Sequence, residues 1–376
     1  MPCSWATGTV RRFSTTSLWK LADCVSTAAR WPAAAYGWRS DDPDLRVRIE
    51  SRVPVSDLTP LRDLLDHHVV GHDEVKTALL LALVTREHIY VEGPPGTAKT
   101  RLAEVAAKGS ELDFFFYQLH RDTRLAELVG DIVLERRKVK TDGGAPGTAG
   151  EAERIHQRIE PGGLLTAEIA VLDDISRAPG EALNVLLRIL NERRFGAEPI
   201  PLMAAIATGN PMDDEYYNEP LDPANLDRFA LQLRVSGLIQ SGVDEAKTLI
   251  DRFAAGSVVE QPDPEPVTDR ATLDALNKRM YEVEVGAAVR AALLDVLRTL
   301  VLEFECNETN SLLTDRTFLV KAIKILRGAA LLAGRDAVDL PDLAALSWMT
   351  TFRVPPEAHE ALPRIIGRIS RQVRAV

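Results

Sequence analysis

Residues 89–100 read Ile-Tyr-Val-Glu-Gly-Pro-Pro-Gly-Thr-Ala-Lys-Thr, and this stretch decides the fold. A short apolar strand runs into a turn of glycines and prolines, then Lys99-Thr100, then a helical pattern beginning Leu102-Ala103-Glu104. Strand, Gly-rich turn and helix start, in that order, form a phosphate-binding loop. The turn presents consecutive backbone N–H groups, and the helix N-terminus adds partial positive charge. The expected cradle is Gly93, Pro94, Pro95, Gly96, Thr97, Ala98, Lys99, Thr100 and Arg101. Lys99 would reach the β- and γ-phosphates and Thr100 would hold Mg²⁺. The general pattern has glycine immediately before the lysine, where this chain has Ala98. An ordinary Gly/Pro turn between a strand and a helix would read the same in isolation.

Outward from the loop, the chain has 376 residues, enough to bury two cores, and a net charge of −10. The longest apolar run of the body, 78–84, is far too short to span a bilayer. An acidic body argues against a nucleic-acid surface. Residues 1–40 differ from the rest: Arg11, Arg12, Lys20, Arg30 and Arg39 stand against Asp23 alone, a net +4 that leaves −14 elsewhere. This Arg-rich, Ser/Thr-rich, acid-poor segment fits a transit peptide, placing the protein in a plastid or mitochondrion. A disordered extension or a misplaced start fits as well, and then the protein would be cytoplasmic. No uninterrupted apolar core marks a secretory signal. Cys3, Cys24 and Cys306 lack CxxC spacing and neighbouring histidine, arguing against a disulfide framework or zinc site.

Residues 45–53 alternate like a strand, and 55–68 read as a helix with Leu58, Leu61, Leu64 and Leu65 on one face. Val70, Gly71 and His72 precede a helix starting near Asp73 and are candidates for the purine side of a nucleotide. A helix-start turn with a surface histidine is the bland alternative. Residues 113–119 read as a buried aromatic strand, and 120–167 as an insert containing a hairpin. Residues 168–174 form an apolar run ending in Asp173-Asp174, a place for Mg²⁺ chemistry at the carboxyl end of a buried parallel strand. The strand 201–208 ends in Gly209-Asn210 by the same logic. Arg228 lies in Leu-Asp-Arg-Phe, where a surface salt bridge is the simpler reading. The Pro- and acid-rich segment 256–268 is read as a linker between a core at 45–240 and a helical domain at 269–355. Residues 356–376 are read as a solvated basic helix or tail, with Arg364, Arg368, Arg371 and Arg374 at helical spacing.

The order of these motifs, and the wording of 69–100, 159–195, 206–211 and 221–229, resemble the MoxR family of AAA+ ATPases, including its RavA-like, helix-2-insert members. The resemblance covers about residues 47–350. It implies an α/β P-loop core, a parallel sheet flanked by helices, with a C-terminal all-α lid. It implies ATP/ADP and Mg²⁺ as ligands, with Thr100 and Asp173 holding the metal. Asp174 would polarise the attacking water, Asn210 would act as sensor 1, Arg228 as an arginine finger to the next subunit, and Arg316 as sensor 2. It further implies a ring, of six subunits, acting chaperone-fashion on a client protein, sometimes through a von Willebrand factor A domain. Most relatives carry glutamate where this chain has Asp174. A nucleotide-gated scaffold with little hydrolysis is therefore the second reading, and a DNA-associated motor a third.

Overall fold

The computed structural model describes residues 56–130, 132–142, 149–211, 221–256, 263–311, 313 and 316–374. The segment 1–40 and the strand expected at 45–53 lie outside the described residues.

A helical turn at Ser56–Leu58 leads into α1 (Thr59–His68), and α2 (Asp73–Thr85) follows. Leu58, Leu61 and Leu65 are buried, as their spacing predicts. The core then alternates strand and helix: β1 (Ile89–Glu92), α3 (Lys99–Lys108), β2 (Phe114–Gln118), α4 (Leu125–Val129), the hairpin β3 (Ile132–Asp142) and β4 (Ala149–Ile159), and β5 (Ile169–Asp173). Helix α5 (Gly180–Glu192), the short ribbon β6 (Arg194–Phe195) and β7 (Glu198–Pro199), β8 (Ala204–Gly209), α6 (Pro223–Leu226) and β9 (Leu231–Arg234) complete it.

Five strands form one sheet in the order β2-β5-β8-β1-β9, every pair parallel. Parallel strands joined by crossover helices are covered on both faces, so their side chains are apolar in both directions. Alternation along each strand shows it. Ile89, Val91, Ile169, Val171, Ala204 and Ile206 enter one core cluster, while Tyr90, Ala170, Leu172, Ala205 and Ala207 enter the other. All five central-strand carboxyl ends point the same way, which places the phosphate loop, Asp173-Asp174 and Asn210 on one rim.

The strand at 113–119 departs from its sequence reading as buried. β2 is the last strand of the sheet, and Phe114 and Phe116 are each 38% exposed. Only Phe115 and Tyr117, on the opposite face, pack against the core. A run of aromatics looks covered on both sides, but the edge position leaves one side open.

Helices α7 (Leu238–Ser241) and α8 (Val243–Ala254) leave the rim after β9. The remainder is helical: α9 (Arg270–Glu282), α10 (Ala287–Glu303), α11 (Arg316–Leu332), α12 (Ser347–Thr350) and α13 (Pro356–Arg374). These helices share one continuous core with α2. Asn277 Nδ2 donates to Val84 O at 2.7 Å, and a Cβ at Gly328 would stand 2.5 Å from Thr85, so glycine lets α11 lie close to α2. Residues 263–268 lie back on the core, with Val267 and Thr268 amides donating to Gly109 O. Pro356 starts α13, which buries Ala358, Leu362, Ile365, Ile366 and Ile369 and turns Arg364, Arg368, Arg371 and Arg374 outward. No described helix is long and apolar enough to cross a membrane.

Candidate active site

The loop between β1 and α3 turns through two left-handed residues, Gly96 (φ +82°) and Ala98 (φ +59°). The second explains why the general motif places glycine before its lysine: an L-residue there is strained by about 1–2 kcal/mol. Gly93 is also constrained, because a Cβ would stand 2.3 Å from Val235. Thr97 Oγ1 donates to Pro94 O at 2.8 Å and closes the turn. The first amides of α3 have no partner within the helix and face the rim.

Lys99 is buried, and its Nζ donates to Gly93 O (2.7 Å), Pro94 O (2.9 Å) and Asn210 Oδ1 (3.2 Å). Burial lowers its pKa, while Asp174, Asp173 and Glu92 oppose the shift. Thr100 Oγ1 donates to Asp173 Oδ1 at 2.7 Å, and Thr208 Oγ1 donates to the same oxygen at 2.5 Å. A carboxylate and a hydroxyl meeting across two elements supply the hard oxygen donors that suit Mg²⁺. That ion keeps water and phosphate ligands and needs only one or two protein groups. Among the described residues no cluster of three or more His, Cys, Asp or Glu offers a competing metal site.

Asp174 follows directly, in the left-handed region at φ +53°, which Asp tolerates better than most residues. Its amide donates to Thr208 Oγ1 at 3.2 Å. Asn210 Nδ2 donates to Asp174 Oδ1 at 2.8 Å, and Arg177 Nε stands 3.5 Å from Asp174 Oδ2. Burial raises the Asp174 pKa; Arg177 lowers it, and neighbouring Asp173 raises it further. The carboxylate is thus a partly desolvated hydrogen-bond acceptor, held from two sides beside Lys99.

Lys99, Thr100, Asp173, Asp174 and Asn210 are therefore brought together. Beside them, His72 occupies the N-cap position of α2 in the left-handed region, and burial lowers its pKa. Val70 and Gly71 lead into it, and a Cβ at Gly71 would meet Glu245 of α8. Three expected residues lie elsewhere. Arg101 turns to His68 Nδ1 (3.2 Å) and to Glu104. Arg316 is exposed at the first turn of α11 and has no hydrogen bond to the loop. The Arg228 amide donates to Asn225 O at 3.3 Å, but its side chain has no hydrogen-bond or ion-pair partner among the described residues, and its neighbour Asp227 is bound instead. Lys321 Nζ donates to Asp227 O, and Arg353 donates to Asp227 Oδ1.

Sequence reasoning missed Thr208, Arg177 and Arg353. Thr208 precedes Gly209-Asn210 and its role needs the β5–β8 pairing. Arg177 sits three residues after Asp174, a spacing that could have signalled a local ion pair. Arg353 lies more than a hundred residues from its partners Asp227, Phe229 and Ala230, so its role there gives no local signal.

A parallel sheet with a phosphate loop, an acidic strand end, a polar strand end and a C-terminal helical lid defines the AAA+ class of P-loop ATPases. Comparison with known proteins takes this further. The sequence profile described as "MoxR domain in the MoxR-vWA-beta-propeller ternary systems" matches residues 56–278, and an AAA lid domain profile matches 292–351. The chain belongs to the MoxR family of AAA+ ATPases. It is 26% identical over 293 residues to Uncharacterized protein MJ0079 of Methanocaldococcus jannaschii, covering 77% of this chain and 68% of that one. It is 25% identical over 232 residues to Chaperone MoxR1 of Mycobacterium tuberculosis, covering 60% of this chain and 54% of that one. A crystal structure of a candidate ATPase from Cytophaga hutchinsonii superposes with a TM-score of 0.62 at 17% identity, covering 87% of this chain and 96% of that one. That likeness concerns the fold alone.

Proposed function

We propose that this chain hydrolyses ATP with Mg²⁺ and uses the cycle to remodel or mature a partner protein. The observation that carries the reading is the convergence of Lys99, Thr100, Asp173, Asp174 and Asn210 at the carboxyl ends of three adjacent strands. Lys99 and the loop amides bind the phosphates. Thr100 and Asp173 would hold Mg²⁺, which when bound neutralises phosphate charge. Asp174 accepts a hydrogen bond from the attacking water, and Asn210 fixes the orientation of that carboxylate. Charge developing on the transferred group is met by Arg228 from a second copy, with Arg316 as a further candidate. That requirement calls for a second copy, and a ring of six subunits is the assembly that the family resemblance implies. The matching family description names von Willebrand factor A systems, which supports a partner of that kind.

The second reading is a nucleotide-gated scaffold that binds ATP and scarcely turns it over. It is favoured by Asp174, a short carboxylate already engaged by Asn210 and Arg177. Steady-state phosphate release by the full chain, beside Lys99→Ala and Asp174→Glu, separates the two. Release well above the Lys99→Ala level supports hydrolysis. Release equal to it, with retained binding of a fluorescent ATP analogue, supports the scaffold.

A further inference from the structure

The clearest exposed apolar surface among the described residues lies on α7 and α8. Helix α8 buries none of its residues. Yet Val243, Ile250 and Phe253 recur at helical spacing and stand 74%, 65% and 58% exposed, and Ile239 of α7 stands 79% exposed. Single apolar side chains on a surface are ordinary; a one-sided apolar helix face marks a contact. This face belongs to the loop end of the molecule. α7 and α8 continue from the carboxyl end of β9, Leu238 lies against Gly71, and Arg252 donates to Asp66 O and His67 O.

A smaller apolar patch lies at the opposite end. On α11, Val320 is 69% and Leu319 is 37% exposed. The next residue, Lys321, donates to Asp227 O at 2.9 Å, so the patch sits beside Arg228. β1 and β9 run parallel and in register, Ile89 against Leu231 and Glu92 against Arg234. The phosphate loop leaves the carboxyl end of β1, whereas Arg228 precedes the amino end of β9. Arg228 and the loop of its own chain are thus separated by the length of the sheet. An arginine so placed can complete only another copy's site, and two copies related that way meet head to tail, through different surfaces.

We propose that the α7–α8 face is covered by a second copy of this chain, whose α11 brings Leu319 and Val320 onto Ile250 and Phe253. This contact rests on the reading that Arg228 serves another copy's nucleotide, and adds to it the apolar seam that holds the two copies together. The seam runs beside the loop through Gly71 and the α7–α8 pair. Nucleotide binding and assembly are therefore coupled through one surface.

Disulfide trapping tests the contact. Ile250→Cys and Val320→Cys are made separately in the full chain carrying Cys3→Ser and Cys24→Ser, with buried Cys306 kept. The two proteins are mixed with Mg²⁺ and ATP and oxidised mildly, while light scattering reports the mass before oxidation. The expected result is a disulfide-linked dimer in the mixture and monomer only when either protein is oxidised alone. An assembled protein that yields no mixed dimer overturns this contact and leaves the trans role of Arg228 standing. Dimers formed by Ile250→Cys alone overturn it too, because they require the face to meet itself. A protein that stays monomeric with ATP at all concentrations overturns both.

Discussion

Asn210 donates to Asp174 across 2.8 Å and so ties together the ends of two adjacent strands, β8 and β5. The same asparagine accepts from Lys99 at 3.2 Å. One neutral side chain thus connects the Lys99 cation to the carboxylate beside it. Its amide can do both because it is donor and acceptor at once.

Asn210→Ala should therefore lower the rate of hydrolysis with little loss of nucleotide binding. A misplaced Asp174 costs on the order of 10²-fold in kcat. Turnover measured beside the affinity for a fluorescent nucleotide checks the split. Equal losses in both would place Asn210 in binding rather than in orientation.

Ala98 carries backbone strain at φ +59°. Ala98→Gly should stabilise the fold by about 0.5–1 kcal/mol, the relief of the left-handed strain less the added freedom of the unfolded chain. Denaturant unfolding reads this directly. A destabilised variant would show that the methyl group makes a packing contact outweighing the strain.

Arg353 is 2% exposed and binds Asp227 Oδ1 together with the carbonyls of Asp227, Phe229, Ala230 and Met349. Removing it takes a buried charged donor from all of them; Asp227 O keeps Lys321 and Phe229 O keeps Gln232, but the Asp227 carboxylate and Ala230 O lose their side-chain partner. Arg353→Ala should cost about 3–5 kcal/mol. Arg353→Lys, which keeps charge but not the fork, should recover only part of that loss. Thermal or denaturant unfolding of the two variants distinguishes charge from geometry.

His88 is buried, with Ala205 N donating to Nδ1 and Nε2 facing Leu190 O, each at 2.9 Å. This pattern fixes the neutral ring with its proton on Nε2. Burial, reinforced by Arg193, pushes its pKa down to about 3, and burial likewise pushes His359 down to about 4. Both pKa values lie below the ordinary value of about 6.5 that the unfolded chain restores. Between those limits the unfolded state binds more protons. Stability is therefore full above pH 6.5 and falls as pH drops toward 4, by up to about 1.4 kcal/mol per pH unit for His88. Unfolding free energy followed from pH 7 to 4.5 should slope downward, and His88→Gln should flatten the slope. An unchanged slope would mean that other groups govern the acid limb.

Much of this site is legible in the sequence because parallel strands are covered on both faces. Ile169–Asp173 is an unbroken apolar run, and the polar residues that interrupt such runs mark the strand ends where ligands lie. The loop at 93–100 is legible because its glycines and prolines fall between an apolar strand and a Lys-Thr helix start. What is not legible is set by contacts remote in sequence. Phe114 and Phe116 look like core and are half-open because β2 is last in the sheet. Thr208 joins Asp173 only once β5 and β8 are paired. The apolar spacing of Val243, Ile250 and Phe253 is visible in the chain, but nothing local shows that these side chains stand exposed among the described residues.

The central claim is that one copy's loop is completed by another copy's Arg228. Lys99→Ala and Arg228→Ala proteins are each made as full chains, and phosphate release is measured for each alone and for an equimolar mixture. Each should be nearly inactive alone. In the mixture, sites with an intact loop from one protein and an intact arginine from the other should form by chance. Activity should then rise to about a quarter of the wild-type value. A mixture no more active than its two components would contradict the account.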